Sequence, residues 1–599
     1  MGSENSSHKS VVSRRRLIQA LGASGTISLA GCMGGDGSGS GGGNLGERVP
    51  TVTIEYWSNL GGLSKIMEDS APIMKNNLEK RLGITVEVKP VEFTTQINNT
   101  IQDKRTHHIG FWYHTNTPDR LDPQEMTRRY CADWAGGNGQ ANPPNYASCE
   151  YTDPAVGQGN ASSEEERQEL VTKAHSIMSE DLSTLPIFPN YEFGAVRTDS
   201  VTLNAVGEAG VTRTNPHIYI QSETDMKQIA SVDTPVAMET GNYPIIDSSG
   251  AQAIWNHLVT STLTEYDENF ELQDILAKTY EIEDDAKRIT VELKDATFHN
   301  GDPVTAEDVK FTYKQLWDHP GAYPQASSPD YESINVVDDK TTEFVFNSPY
   351  LPLIQKVWPR WGIMHKSSWE RGGAPDNAEG FDPDTIIGAG PFAIREFSIG
   401  SHLDLVPHDG HPVHKPGHEL FLQAYRNEQT AVQAFRANEV QLAPNLSPGS
   451  IQNIENDLGD VAKTVSKPGF MPFILYPQQS WSPGQFREFR AAVGAAIDRK
   501  RMSATALRGA AEPQLYSCPL MDAHPARPEK SALTKMAPAE GSEDKARKAL
   551  SDAGWGWDGS GRLHYPADKD LSPPWPAEGV PDPGDFPCLN EDNEYVRPE

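Results

Sequence analysis

Positive charge is what this chain is shortest of. Its 52 Lys and Arg face 83 Asp and Glu, a net charge of −31. That leaves no basic footprint for holding nucleic acid. A surface so acidic repels itself unless salt screens it, which points to a high-salt habitat. Cysteine is scarce too, five in 599 residues, so this is no small scaffold held by dense disulfides. Past the N-terminal leader no apolar run reaches the roughly 18 residues of a membrane-spanning helix. Local catalytic signatures are also missing: no G-x-S-x-G elbow, no H-E-x-x-H, no Walker loop and no C-x-x-C pair. A peptidase would need a nucleophile–base pair that the sequence does not display. Binding is the default these absences leave. What is present, 37% apolar residues and twelve Trp over 599 positions, is enough for two or more domains with sizeable cores.

The N-terminus reads as an address. Ser13-Arg14-Arg15-Arg16-Leu17-Ile18 resembles a twin-arginine export signal, and residues 17–30 form a modestly apolar stretch. Leu29-Ala30-Gly31-Cys32 resembles a lipobox, whose Cys receives a lipid, and the Gly/Ser-rich segment 33–50 is a flexible tether. Together they predict export in the folded state and lipid anchoring through Cys32 at the extracellular face of the membrane. Cys131, Cys149, Cys518 and Cys588 remain, an even number that permits disulfides outside the cell. Cys131 with Cys149 would close a short loop and Cys518 with Cys588 is the complementary pair; spacing alone leaves the connectivity open.

The densest stretch is Phe298-His-Asn-Gly-Asp-Pro-Val-Thr-Ala-Glu-Asp-Val309. Ile289-Thr-Val-Glu-Leu293 before it alternates as a half-buried strand, Asn300-Gly301 is a tight turn, and Thr305 sits at an N-cap with Asp308 three residues on. These are structural roles. The run nevertheless resembles the F-H-[DN]-G-x-P-[LF]-T-A-x-D-V signature of the family 5 solute-binding proteins of ABC importers, with only Val304 departing. Gly388-Ala-Gly-Pro-Phe392 and Gln433-Ala-Phe-Arg-Ala-Asn-Glu-Val-Gln-Leu442 resemble two further segments of that family. In the second of them Asn438 replaces a Gly but still tolerates a left-handed turn.

The order of these segments is not the family's. Thr51-Val-Thr-Ile-Glu-Tyr-Trp57, a helix over 66–82 ended by Gly83, Ile84-Thr-Val-Glu-Val88, Ile109-Gly-Phe-Trp-Tyr113 and a helix over 164–183 leading to Leu185-Pro-Ile-Phe-Pro189 resemble the family's C-terminal third. Here that third precedes the signature. At the other end Arg490-Ala-Ala-Val-Gly-Ala-Ala-Ile-Asp498 and Lys545-Ala-Arg-Lys-Ala-Leu-Ser-Asp-Ala-Gly554 resemble the elements that ordinarily lead into it. This implies a circular permutation, with the old termini joined near 221–230 and new ones cut in a surface turn after Leu563.

The fold implied by the resemblance is α/β, two-lobed and periplasmic-binding-protein-like (type II, cluster C-like), circularly permuted, with an extra β-rich subdomain. After the leader (1–32) and tether (33–50), the second lobe takes 51–185 and 448–563. The first lobe takes 186–269 and 376–447, the β-rich insertion 270–375, and a Pro-rich tail, extended or disordered, 564–599. The implied function is non-enzymatic: capture of di- or oligopeptides by closure of the lobes, and delivery to ABC permease subunits and their ATPases. The expected protein is a monomer with no cofactor and no nucleic-acid partner. Alternatives within reach are a nickel or other small-solute binder of the same family, or a peptide sensor not coupled to transport.

Related peptide binders hold the ligand's amino group with an Asp four residues before a Pro, and Asp119 in Pro118-Asp-Arg-Leu-Asp-Pro123 matches, with Asp122 as substitute. A carboxylate there would make a charge-assisted hydrogen bond to an ammonium. Trp112, Tyr113 and Tyr146 are either walls of that site or core residues, and Asn242 and Tyr243 are candidate contacts from the other lobe. Two histidine groups, His107, His108 and His114, and His408, His411, His414 and His418, invite a metal reading. Their spacings converge only on a helix, which Gly410, Pro412 and Pro416 prevent. The expectation is solvated loops and no metal.

Overall fold

The computed structural model describes residues 45–58, 62–246, 249–323, 326, 328–378 and 386–597. The twin-arginine run and Cys32 lie outside them.

The chain enters through a β-α-β unit. Val52–Ser58 alternates apolar residues, and Val52, Ile54 and Trp57 are buried. The helix Gly62–Leu82 buries Ile66, Met67, Met74, Leu78 and Leu82 along one stripe. It stops at Gly83, whose φ of +72° is left-handed, and a Cβ there would stand 2.1 Å from the Gly561 carbonyl oxygen, so only Gly fits. Val86–Glu92 then pairs parallel with Val52–Ser58.

These strands begin one edge of a ten-stranded sheet. Its order is Phe392–Ser398, His402–Pro407, Glu419–Ala424, Gln228–Asp233, Leu442–Ala443, Leu185–Arg197, Ala462–Pro477, Ile109–Tyr113, Val52–Ser58 and Val86–Glu92. Two hydrophobic cores lie along it. One is built mainly from 49–195 and 431–565, the other mainly from 196–422. The two long central strands run from one core into the other. Ala195 belongs to the first core and Val196 to the second, and in the partner strand Phe470 and Val465 divide the same way. Two lobes therefore share one continuous sheet.

The signature stretch is laid out as its chemistry requires. Arg288–Leu293 is a strand in a four-stranded antiparallel sheet with Ala277–Glu283, Thr341–Phe346 and Tyr331–Asp338. The helix Ala306–Trp317 packs on it. Its N-terminus is closed by the Asp308 carboxylate, which accepts from the Thr305 N–H at 3.0 Å and from the Thr305 hydroxyl at 2.6 Å.

The chain ends differ from expectation. Leu45–Arg48, read as the end of a tether, is a strand that pairs antiparallel with Leu563–Pro566. The tail is neither free nor disordered over its described length. Trp575 is buried and its indole N–H donates to Asp103 at 3.0 Å, while Arg105 donates to the Trp575 carbonyl at 2.8 Å. A disulfide joins Cys149 to Cys588, whereas Cys131 and Cys518 are buried free thiols. Neither pairing read from spacing is the one formed. Extended chain, with few regular elements past Pro566 among the described residues, lies well against a lobe when a Trp and a disulfide hold it.

Alkylation of the denatured, unreduced protein should label Cys131 and Cys518 and spare Cys149 and Cys588. Cys588→Ser should open the tail to limited proteolysis within 567–597 while the lobes stay intact, checked by mass spectrometry of the fragments.

Candidate functional site

The site is set up by prolines. Pro189 in one crossing strand and Pro468 and Pro472 in the other have no N–H to give to a ladder. The register between the strands shifts between Pro468 and Pro472. Asn116 fills the interruption. Its amide donates to the Asn190 carbonyl at 2.8 Å and to Glu192 at 2.7 Å, and its oxygen accepts the Met471 N–H at 2.9 Å. Gly469 permits this approach, since a Cβ there would be 2.1 Å from the Asn116 amide nitrogen. Asn190 in turn donates to the His114 carbonyl at 2.9 Å. The loop after Ile109–Tyr113 is thus pinned to the crossing, and its next residues face the other lobe.

There the short turn Pro118–Arg120 meets the segment Leu353–Val357. Asp119 is 5% exposed and bonds Arg360 at 2.7 Å. Arg360 lies between Trp358 and Trp361, both in the core of the first lobe, and its guanidinium stands over the Trp361 ring at 4.9 Å. Leu121 and Met126, beside Asp119 in sequence, belong to the other core. The ion pair therefore spans the boundary between lobes. Gln355 adds a hydrogen bond to Glu164 at 3.2 Å and Phe270 an edge-to-face contact with Phe470 at 5.1 Å.

Behind Asp119 the charge is dense. Glu125 accepts from Arg120 at 3.1 Å and Arg129 at 2.7 Å. Burial alone would raise the Glu125 carboxyl, but the charges of Arg120 and Arg129 hold it well below the usual carboxylate range. Asp122, fully buried, pairs with Arg167 at 2.7 Å. Its Oδ2 and the Arg167 Nη1 are buried with no hydrogen-bond partner among the described residues. Tyr350 and Tyr266 lie in the field of Asp122, and burial followed by that charge pushes both phenols up, so they stay protonated. The arrangement presents carboxylates and guanidiniums of both signs to whatever enters the boundary, which is suited to recognising a charge pair.

Of the residues singled out in the sequence, Asp119 and Asp122 come to this boundary. Tyr113 lies at its inner side, within the field of Arg120 and packed on Trp57 at 5.2 Å. Trp112 is 1% exposed, between Trp57 and Tyr476. Tyr146 donates to Asp181 at 2.5 Å inside the second lobe. Asn242 donates to the Ala378 carbonyl at 3.2 Å and Tyr243 to the Gly362 carbonyl at 3.1 Å, both buried in the first lobe. These last four pack cores in this conformation and do not face the boundary.

Arg360, Arg120, Glu125 and Arg167 went unread. One signal was available: an Arg inside Trp358-Pro-Arg-Trp361 must find a counter-charge, because a charge set among large apolar residues is costly alone.

The reading of both histidine groups as solvated loops is overturned. His107, His114, His411 and His418 are buried. His107 pairs with Glu55 at 3.0 Å, His108 stacks on Trp481 at 4.6 Å and His114 bonds the Tyr476 hydroxyl at 2.7 Å, so the first group disperses to separate partners. In the second, His408 and His418 each bond a backbone carbonyl at 2.9 Å, that of Thr297 and that of Tyr219. His411 bonds Ser261 at 3.1 Å and His414 reaches Glu265 at 2.7 Å.

The model of the bacterial extracellular solute-binding proteins, family 5 Middle, matches residues 271–577, just over half of the chain. Over 230 residues the chain is 26% identical to the "Probable D,D-dipeptide-binding periplasmic protein" of Escherichia coli, covering 38% of this chain and 44% of that one. The chain thus spans less than half the length of that curated relative. Among solved structures it is similar to the oligopeptide-binding protein AppA from Bacillus subtilis in complex with a nonapeptide (19% identity, TM-score 0.42, 58% of this chain and 67% of that one). It is similar also to NikZ from Campylobacter jejuni in complex with Ni(L-His) (17% identity, TM-score 0.41, 57% and 65%).

Arg167→Met, which strands the buried Asp122, should cost about 3–5 kcal/mol in a denaturant melt. Asn116→Ala should cost about 1–3 kcal/mol for each buried group it leaves unpaired at the crossing. Because the folded Glu125 carboxyl is depressed, its contribution is complete above the unfolded value of about 4.3 and is lost as pH falls through the folded one. Glu125→Gln should therefore flatten the acid limb of the stability profile, read by urea melts stepped downward from about pH 6.

Proposed function

The chain belongs to the bacterial extracellular solute-binding proteins of family 5, and on that premise we propose that it captures peptides, di- or oligopeptides, between its lobes for an ABC importer. The observation that carries this reading is the Asp119–Arg360 pair, a carboxylate from one lobe and a guanidinium from the other at 2.7 Å. A zwitterion entering the boundary exchanges one internal pair for two external ones: its ammonium goes to Asp119 and its carboxylate to Arg360, whose planar fork suits bidentate bonding. The free Oδ2 of Asp122 is a second acceptor close by in sequence and buried at the same boundary. Closure dries the site, which strengthens both contacts. Bending the two crossing strands where prolines have already broken their ladder is the motion that opens and shuts it.

The rest of the reading follows the family and the chain's own signals. The protein is exported through its twin-arginine segment, anchored through lipidated Cys32, monomeric, and docks closed on permease subunits driven by their ATPases. Its segments are those of one family copy, circularly permuted. The antiparallel pairing of Leu45–Arg48 with Leu563–Pro566 supports this, because the proposed cut separates two segments that an unpermuted chain would join by a turn.

Melting of the purified protein in high salt with di- to pentapeptide pools tests the reading. A ligand at a hundredfold excess over its Kd should add about 2.7 kcal/mol of stability. The gain should vanish in Asp119→Ala and in Arg360→Ala, each read against its own peptide-free melt. Peptides acetylated at the N-terminus and amidated at the C-terminus should give none. Equal stabilisation by these blocked peptides, or a response to sugars alone, would remove the zwitterion from the site.

A further inference from the structure

A second polar cluster, made of other residues than the Asp119 boundary, is left unused by peptide capture. Three segments distant in sequence build it in the first lobe. His217 opens the short helix His217–Ile220, Glu265 lies in the strand Thr264–Tyr266, and His414 lies in the loop beyond His402–Pro407. His414 Nε2 stands 2.7 Å from Glu265 Oε1, and His217 Nε2 stands 3.4 Å from the same oxygen. One donor atom from each of the three lies within 4.8 Å of the others. The side chains are 3%, 3% and 10% exposed for His217, Glu265 and His414.

The surroundings hold these donors in place. His257 Nδ1 bonds the other carboxylate oxygen at 3.2 Å, which turns Oε1 toward the two imidazoles. His411 Nδ1 accepts the His414 N–H at 2.8 Å and its Nε2 bonds Ser261 at 3.1 Å, so the loop carrying His414 is itself braced. Gln221 stands 3.2 Å from His217 Nδ1. The Gln221 amide nitrogen faces that Nδ1, and His217 Nε2 also stands 3.3 Å from the Tyr266 carbonyl; turning the Gln221 amide over lets its oxygen accept the Nδ1 proton and frees the Nε2 lone pair for an ion.

A buried carboxylate calls for positive charge beside it, which an ion held between Glu265 and the two imidazoles would supply. Two imidazole nitrogens and one carboxylate oxygen form the donor set of His₂Glu sites for zinc, whose fourth position is open. With metal–ligand distances of about 2.0–2.1 Å, donors around a tetrahedral ion stand about 3.3–3.4 Å apart. The His217–Glu265 separation already has that value. The His414–Glu265 separation is that of a shared proton, and it opens by a fraction of an ångström when an ion replaces the proton.

We propose that His217, Glu265 and His414 bind one divalent first-row transition-metal ion of the zinc type, with His257 and Gln221 as positioning residues. Imidazole with a single carboxylate selects such ions over Ca²⁺ and Mg²⁺, which require more oxygen donors. Bound there, the ion ties the segment that links Leu185–Arg197 to Gln228–Asp233 onto the first lobe, through His217. The site is independent of the peptide reading.

The test uses the full-length protein, dialysed against a chelator in high salt and titrated with Zn²⁺, Ni²⁺, Ca²⁺ and Mg²⁺ by calorimetry. The expected result is one Zn²⁺ per chain with release of protons, a raised melting temperature, and no binding of Ca²⁺ or Mg²⁺. His414→Ala and Glu265→Ala should abolish it and Gln221→Ala should weaken it about 10–100-fold. His418→Ala, whose imidazole bonds a backbone carbonyl elsewhere, should bind as the parent does. Cobalt loading of the unmodified protein needs no variant: an intense visible spectrum of low-coordinate Co²⁺, erased by Zn²⁺, is expected. Absence of binding, equal binding by His414→Ala, or a pale octahedral cobalt spectrum would each overturn the proposal. The stabilisation by peptides, which depends on Asp119, is unaffected by any of these outcomes.

Discussion

The structure depends on one constraint: both lobes hang from a single sheet, and the long strands Leu185–Arg197 and Ala462–Pro477 carry it from one hydrophobic core to the other. Where the cores meet, Ala195 and Val196 still pair with Thr464 and Lys463; a ladder equally continuous along the whole of both strands would stiffen the link between the lobes. Prolines 189, 468 and 472 prevent this by withholding donors, and Asn116 satisfies the groups left over with its own amide. The crossing is therefore satisfied but interrupted. The loop fixed by Asn116 is the one that carries Asp119, three residues further on.

Burying charge at the boundary follows from this geometry. Asp119, Asp122, Glu125, Arg120, Arg129, Arg167 and Arg360 sit at or close behind it, and most are paired within 3.1 Å. Such pairs add little net stability compared with an apolar boundary, because desolvation offsets the attraction. Their value lies in the alternative: a boundary glued by apolar contacts would stay shut. One held by an ion pair can be entered by a ligand that offers each partner an equivalent bond.

Much of the architecture was legible. The β-α-β entry, Gly83, the Thr305–Asp308 cap and the strand Arg288–Leu293 followed from alternation, capping and glycine chemistry, all of which act within a few residues. Asp119 and Asp122 were found at the lobe boundary by motif. Trp112, Tyr146, Asn242 and Tyr243 turned out to pack cores, because an aromatic or amide side chain serves a wall or a core equally well and local sequence does not say which side of a strand faces the partner lobe. The tail was misread for a related reason. Its prolines exclude helix and ladder, but whether extended chain is free or laid on a surface depends on what Trp575 and Cys588 meet.

What this sequence determined by itself is what short-range physics controls: which segments form helices and strands, where they stop, and the strongly acidic balance of charge. The family signature belongs there too, since it is a run of capping and turn residues readable in place. What only the tertiary structure decided is every pairing across distance. Arg360 finds Asp119, Cys149 finds Cys588, and His414 finds His217 and Glu265 although no helix spaces them. Those partners are set by how the lobes and loops pack, and spacing along the chain carries no record of it.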